Sequence, residues 1–221
     1  MRLASYNIRK CIGLDRRRDP ARILQVINGI GADVVALQEA DKRLGARPAA
    51  LPREMVESET DFRPVALDET GVSLGFHGNA LLVRKDLAVT RSQRIDLPGT
   101  EPRGAVSVEI GGRVRVVGVH LGLLRRDRRR QLAAVEDQVN DALPTAILGD
   151  FNEWRARRGL EALHFGFSVH APGRSFHAAR PVAALDRIAL SRHLELRDAG
   201  VVENRPARVA SDHLPIWADV A

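Results

Sequence analysis

The chain sets an acidic, amide or imidazole side chain at five places where an apolar run hands over to a loop: Asn7, Gln38-Glu39, His120, Gly149-Asp150-Phe151-Asn152 and Ser211-Asp212-His213. A strand end holds such a side chain rigidly while the loop beyond exposes it to a ligand, as functional sites require. Glu39 emerges from the run DVVALQ, where a lone carboxylate also serves as a loop solubiliser or helix cap. Asn7 alone reads as a turn residue, yet its carbonyl is able to ligate a hard metal ion or to orient a carboxylate beside one. Magnesium takes oxygen ligands and keeps several waters, so one or two carboxylates plus an amide suffice.

Asp150 and Asn152 follow PTAILG, and Gly149 gives the backbone room for a sharp departure. Two apart in an extended segment, their side chains are expected on one side. In phosphodiester hydrolysis such a carboxylate orients or deprotonates water, while the amide donates to an oxyanion as charge builds on phosphorus. An Asx turn accounts for either residue separately. His120 and His213 titrate near neutral pH and are the candidates for proton transfer or for contact with a phosphoryl oxygen. Asp212 precedes His213, and AALDRIAL sets Asp186 on a strand able to approach it. An aspartate bonded to a histidine fixes its tautomer and stabilises the imidazolium. His77, His164, His170, His177 and His193 lack such settings and read as structural or solvent-exposed.

Short strands must position these groups. Apolar or alternating runs predict them at Met1–Ile8, Asp33–Gln38, Phe62–Ala66, Asn79–Arg84, Ala88–Asp96, Ala105–Ile110, Arg113–His120, Thr145–Gly149, Leu185–Ala189 and Leu214–Val220. A helix is expected after Asp19-Pro20, an N-cap with proline at the first helical position, its apolar face formed by Ile23, Leu24, Val26, Ile27 and Ile30 up to Gly31. A second helix runs from about Asp127 to Leu143, with further helical turns at Arg157–His164. Two packed sheets with helices outside fit this order.

Arg125, Arg126, Arg128, Arg129 and Arg130 cluster around the start of the second helix, either to face a phosphate backbone or lipid head groups or as a solvated face. The net charge of +6 in a chain rich in arginine favours polyanionic partners. With 44% hydrophobic and 28% charged residues, the 221-residue chain reads as one globular domain over residues 1–221 rather than a disordered segment. No apolar run approaches the ~18–20 residues needed to cross a bilayer. The start MRLASYNIR reads as a strand rather than a signal peptide, and the single Cys11 excludes an intramolecular disulfide, so a cytoplasmic location is expected.

Taken in order, SYNIR, LQE, GNALL, EPRGAVSVEI, VHL, GDFN, LDRI and SDH resemble the endonuclease/exonuclease/phosphatase superfamily over nearly the whole chain. The resemblance implies an α+β fold, a four-layered αββα sandwich of two mainly antiparallel sheets packed face to face with helices outside. It implies magnesium or manganese as cofactor, with Glu39 the principal metal ligand and Asn7 and Asp212 completing the site. Asp150 and Asn152 would handle the nucleophilic water and the scissile phosphate. His213, oriented by Asp186, would contact the phosphate or move a proton, and His120 matches the second histidine of the nuclease and sphingomyelinase branches. Arg103 in EPRGAV matches a phosphate-contacting position. Asn79 in GNALL, placed with Arg103 on the substrate side, stands where pancreatic-type deoxyribonucleases carry a glutamate that supports the first histidine, so His120 is expected without that carboxylate.

His120 also replaces the tyrosine of abasic-site endonucleases, and the short interval from Glu39 to Phe62 leaves little room for DNA-penetrating loops, which argues against a dedicated repair role. The expected activity is metal-dependent phosphodiester hydrolysis, with nucleic acid ahead of phospholipid as substrate. A phosphomonoesterase and a non-catalytic polyanion-binding module are the alternatives, and no protein partner is indicated.

Overall fold

Alternate residues of the first strand enter two different cores. In β1 (Arg2–Asn7), Leu3 faces an apolar layer shared with the opposite sheet, whereas Ala4 and Tyr6 face a layer of helices. The same split runs through β2 (Val34–Gln38): Val34 and Ala36 turn to the sheet interface, Val35 and Leu37 to the helices. A strand covered on both faces needs apolar residues at every position, which is why these segments read as continuous hydrophobic runs. The structure is a computed structural model that describes residues 1–42, 45–68, 71–139, 142–155, 159–163 and 166–221.

The remaining strands are β3 (Phe62–Pro64), β4 (Ala80–Arg84), β5 (Val89–Leu97), β6 (Arg103–Ile110), β7 (Val114–His120), β8 (Thr145–Asp150), β9 (Phe167–His170), β10 (Asp186–Ser191), β11 (Leu196–Val201) and β12 (Ile216–Val220). They form two six-stranded sheets, ordered β11-β12-β1-β2-β4-β3 and β5-β6-β7-β8-β10-β9. Each sheet has one parallel pair near its centre, β1 with β2 and β7 with β8, among antiparallel neighbours. The crossovers within those pairs are α1 (Pro20–Ile30) and α3 (Arg125–Val139), and each covers the outer face of its own sheet. Helix, sheet, sheet, helix is the layering that the resemblance implies. Among the described residues no helix is long and apolar enough to cross a membrane.

Helix α1 starts and stops where its sequence predicts. The Asp19 carboxylate accepts from the Arg22 N–H at 3.0 Å, Pro20 fills the first turn, and Gly31 closes the helix at φ 66°. Helix α3 begins two residues earlier than expected, at Arg125. Of the turns expected at Arg157–His164, a 3-10 turn forms at Glu161–Leu163; Arg157, Arg158 and His164 lie outside the described residues. The sequence patterns miss α2 (Arg53–Glu59), the short α4 (Ala207–Ala210), β9 and β11. Both missed strands sit at sheet edges, where one flank is solvated and the apolar pattern is correspondingly weak.

Gly118 lies where the two sheets pack against each other. A Cβ there would lie 3.2 Å from both the Ala36 Cβ and a Val106 methyl carbon, and 3.5 Å from a Leu81 methyl carbon. Gly118→Val is therefore expected to lower unfolding free energy by ~1–3 kcal/mol through overpacking. Leu81→Ala, which opens a cavity in the same layer, should cost ~2–5 kcal/mol. Urea unfolding followed by circular dichroism measures both, and stabilities equal to the wild type would contradict this packing.

Candidate active site

Of the residues expected to act on metal, water or substrate, all but Asp186 and Asn79 line one cleft of about 480 Å³ at a common end of the two sheets, whereas Arg125, Arg126, Arg129 and Arg130 of the second helix border a separate groove. Topology explains the gathering. Asn7, Glu39, His120 and Asp150 sit at or just past the C-terminal ends of the two central parallel pairs. The register sets His120 beside Asp150 on one side and Asp186 beside it on the other. Asp212 and His213 enter from the loop before β12, and Arg103 opens β6.

Asp150 is the hub. One carboxylate oxygen accepts from the Asn7 side-chain amide at 3.1 Å and lies 3.5 Å from the His120 Nε2 and 3.7 Å from the His213 Nε2. Burial pushes its pKa up and the Asp186 carboxylate adds to this, against the opposing pull of His213 and of the bonds from Asn152 and Asn7, to about 6. His213 donates from Nδ1 to Asp186 at 2.8 Å, and Asp186 also accepts from the Ser175 hydroxyl. Burial opposes charge on His213, but Asp186, Asp150 and Asp212 outweigh it and raise the imidazole to about 10. At neutral pH the cleft therefore holds an imidazolium against a carboxylate able to exchange a proton.

Asp150 and Asn152 share the cleft for a different reason from the one the sequence suggests. Asn152 is left-handed, φ 51°, and its N–H donates to the Asp150 carboxylate at 2.9 Å, so an Asx turn and not a strand pleat brings the two side chains together. The Asn152 amide donates to the Leu121 carbonyl at 2.8 Å, and its second N–H remains for a ligand. Asn79 is fully buried behind the cleft, donating to the Gly104 carbonyl at 2.8 Å beside Arg103. Among the described residues Asp150 sets a carboxylate beside His120, and position 79 acts on the segment that carries Arg103.

Several cleft residues escape the sequence patterns. Arg9, Lys10 and Cys11 are consecutive left-handed residues, as is Glu39, and the turn is pinned where the Lys10 N–H donates to the Glu39 carbonyl at 3.0 Å. This turn pairs Lys10 with the Glu39 carboxylate and sets the Arg9 guanidinium 3.3 Å from Asp212. His77, which reads as structural, also lines the cleft and meets Arg47 at 2.7 Å. Left-handed non-glycine residues cost ~1–2 kcal/mol each, and their concentration here marks a turn held by its surroundings. No sequence pattern signals it.

The first turns of α3 brace the loops around the cleft. Arg128, one of the arginines considered for a solvated face, is buried: it donates to the Leu123 carbonyl at 2.6 Å and to Glu153 at 2.7 Å. Asp127 accepts from the Thr100 hydroxyl at 2.6 Å, and Gln131 from the Gly122 N–H at 2.8 Å. Gly159 is needed beside this pair, since a Cβ would fall 2.0 Å from the Glu153 carboxylate.

The donors expected for a metal are all oxygens on residues that line one cleft: the Asn7 amide, whose Oδ1 accepts from the Arg9 N–H at 3.1 Å, and the Glu39 and Asp212 carboxylates. Lys10 and Arg9 stand against those two carboxylates as counter-charges. Among the described residues no three His, Cys, Asp or Glu side chains are grouped so as to hold a metal ion by themselves. Such a set fits a hard divalent ion that keeps several waters, and not a soft ion that demands nitrogen or sulfur.

The His213 charge depends on Asp186. In the metal-free protein, the stability contributed by the imidazolium is complete below the ordinary imidazole value near 6.5 and is lost as pH rises toward about 10. Asp186→Asn should lower the His213 pKa by at least about one unit, equivalent to ~1.4 kcal/mol. Imidazole NMR titration reads the shift, and an unchanged value would show that Asp186 does not hold the charge.

The protein YbhP of Escherichia coli K12, itself uncharacterized, is 28% identical over 99% of this chain and 95% of its own length. A functionally unknown conserved protein of Enterococcus faecalis V583 superposes with a TM-score of 0.80 at 18% identity, covering 100% of this chain and 99% of that one. The mannosyl-6-phosphatase Bt3783 of Bacteroides thetaiotaomicron VPI-5482 does so with a TM-score of 0.79 at 17% identity, covering 100% and 99%. These structures share the fold. The model of the Endonuclease/Exonuclease/phosphatase family, whose members hydrolyse phosphoesters and generally use divalent metal ions, matches residues 4–213, and the chain belongs to that family.

Proposed function

We propose that the protein is a magnesium- or manganese-dependent phosphodiesterase. The observation that carries this reading is the convergence of Asp150 with Asn7, His120 and His213 across one cleft from Glu39 and Asp212. Glu39, Asn7 and Asp212 would hold the ion, which when bound polarises the phosphoryl group and stabilises charge on the leaving oxygen. Asp150, with its raised pKa, accepts the proton of the attacking water. The His213 imidazolium, oriented by Asp186, donates to a phosphoryl oxygen, with the free Asn152 N–H and His120 as further donors to the developing charge. Arg103, held by Glu101 at 2.8 Å, faces the cleft where a non-bridging phosphate oxygen would lie.

The net charge of +6 supports a polyanionic substrate, the ground on which nucleic acid ranks ahead of phospholipid. Exposed apolar side chains at the cleft mouth favour the lipid. A cytoplasmic location is part of the same proposal, supported by Cys11 as a free, buried thiol.

Bis-nitrophenyl phosphate should be hydrolysed with magnesium or manganese and not with EDTA, and faster than nitrophenyl phosphate. Glu39→Ala should abolish the metal dependence, and Asp150→Asn should lower kcat by ~10²–10⁴-fold. The wild-type rate should fall as acid protonates Asp150, and that dependence should vanish in Asp150→Asn. A faster monoester would make the protein a phosphomonoesterase. Absence of metal-dependent turnover on either ester would refute the assignment.

A further inference from the structure

Four large apolar side chains stand in solvent on the cleft wall or on segments that adjoin it: Leu123 at 64% exposure, Leu124 at 53%, Trp154 at 64% and Val182 at 56%. Leu123 forms part of the cleft wall and Leu124 follows it. Trp154 lies two residues beyond Asn152, its ring 6.0 Å from that of Phe176, which in turn lies 4.9 Å from the His213 ring. The Val182 N–H donates to the Phe176 carbonyl at 2.7 Å. Apolar residues scattered singly over a surface need no explanation, but a group around one cleft marks a contact site. The buried Arg128 holds two of these segments at once, through the Leu123 carbonyl and through Glu153 beside Trp154.

Charge surrounds the same rim. Arg125, Arg126, Arg129 and Arg130 are exposed along the outer side of α3 directly after Leu124, and Arg155 is exposed beside Trp154. Glu161, which borders the arginine groove, is paired with Arg125 at 3.0 Å.

We propose that this rim docks the protein on an anionic lipid bilayer, with the cleft facing the surface, so that the phosphodiester it receives is carried by a lipid head group. The substrate class rests on the phosphodiesterase reading; the docking does not. A nucleic acid strand would satisfy the arginines, but Leu124 and Val182 have no ring face on which a base could stack and would be left against sugar and phosphate. A bilayer interface accepts both parts: aliphatic side chains enter the acyl boundary, the indole sits at head-group level, and the arginines meet lipid phosphates.

The chain has two tryptophans, and the second, Trp217, lies under the Arg2 guanidinium at 4.4 Å in β12. Trp217→Phe therefore leaves Trp154 as sole reporter, with circular dichroism to verify folding. Vesicles of phosphatidylcholine with phosphatidylglycerol should bind this protein and shift Trp154 emission to the blue, whereas phosphatidylcholine alone should not. Leu124→Ser/Val182→Ser, and separately Arg129→Glu/Arg130→Glu, should each weaken vesicle binding by about tenfold or more. Hydrolysis of soluble bis-nitrophenyl phosphate by both variants should stay at the wild-type rate.

Vesicle binding without a Trp154 shift, or indifferent to Leu124→Ser/Val182→Ser, overturns the proposal. So does a single-stranded oligonucleotide that shifts Trp154 where vesicles do not. Binding is also read on Glu39→Ala, independently of turnover. Hydrolysis of the soluble diester with no vesicle binding would sink the docking alone; vesicle binding with no hydrolysis of any ester would sink the phosphodiesterase reading and leave the docking.

Discussion

One buried carboxylate joins the two halves of the sandwich at the end where the site lies. Asp150 belongs to β8 of the second sheet, yet it accepts from Asn7 at the end of β1 in the first. A carboxylate taken out of water is costly unless bonded and balanced by charge. Asn7, the Asn152 N–H and two histidines meet that requirement for Asp150, and Asp186 completes the balance from behind His213. The group that would serve as base is therefore also the one around which the sheet ends are aligned. Its raised pKa and the imidazolium beside it have one cause, several ionisable groups sharing a space that water barely enters.

Rigid sheets supply the floor of the cleft, and α3 supplies its rim. Asp127 holds the Thr100 turn that leads to Glu101 and Arg103, Gln131 holds Gly122, and Arg128 ties Leu123 to Glu153. A buried ion pair such as Arg128–Glu153 is weak evidence for stability, because desolvation offsets attraction. Its consequence here is geometric, since one guanidinium fixes two loops that would otherwise move independently. The same helix turns its other arginines outward, so an element read from sequence as a single charged run divides into a structural half and a surface half.

Strain is concentrated around the cleft. The left-handed turn at Arg9, Lys10 and Cys11 and the left-handed Glu39 and Asn152 all border the cleft. Each is held by main-chain bonds or by the Asp150 carboxylate, so the fold carries the cost and the cleft keeps its shape. Pre-set donors and charges need little reorganisation when a phosphoester binds, which is the condition under which electrostatic stabilisation is strongest.

The order of strands, the position of α1 between Asp19 and Gly31, and the polar residues at strand ends were legible in the sequence, because each depends on a local pattern of burial or capping. The edge strands β9 and β11 were not, since one solvated flank dilutes that pattern. Nor were the places of Lys10, Arg47 and His77 in the cleft, the pairing of Arg9 with Asp212, the burial of Asn79 and Arg128, or the joining of Asp150 and Asn152 by one Asx turn in place of an extended pair. Those depend on register between strands far apart in the chain and on which loop closes over which sheet end. Sequence spacing records which residues leave a strand; only packing decides which of them share one buried volume and thereby alter each other's charge.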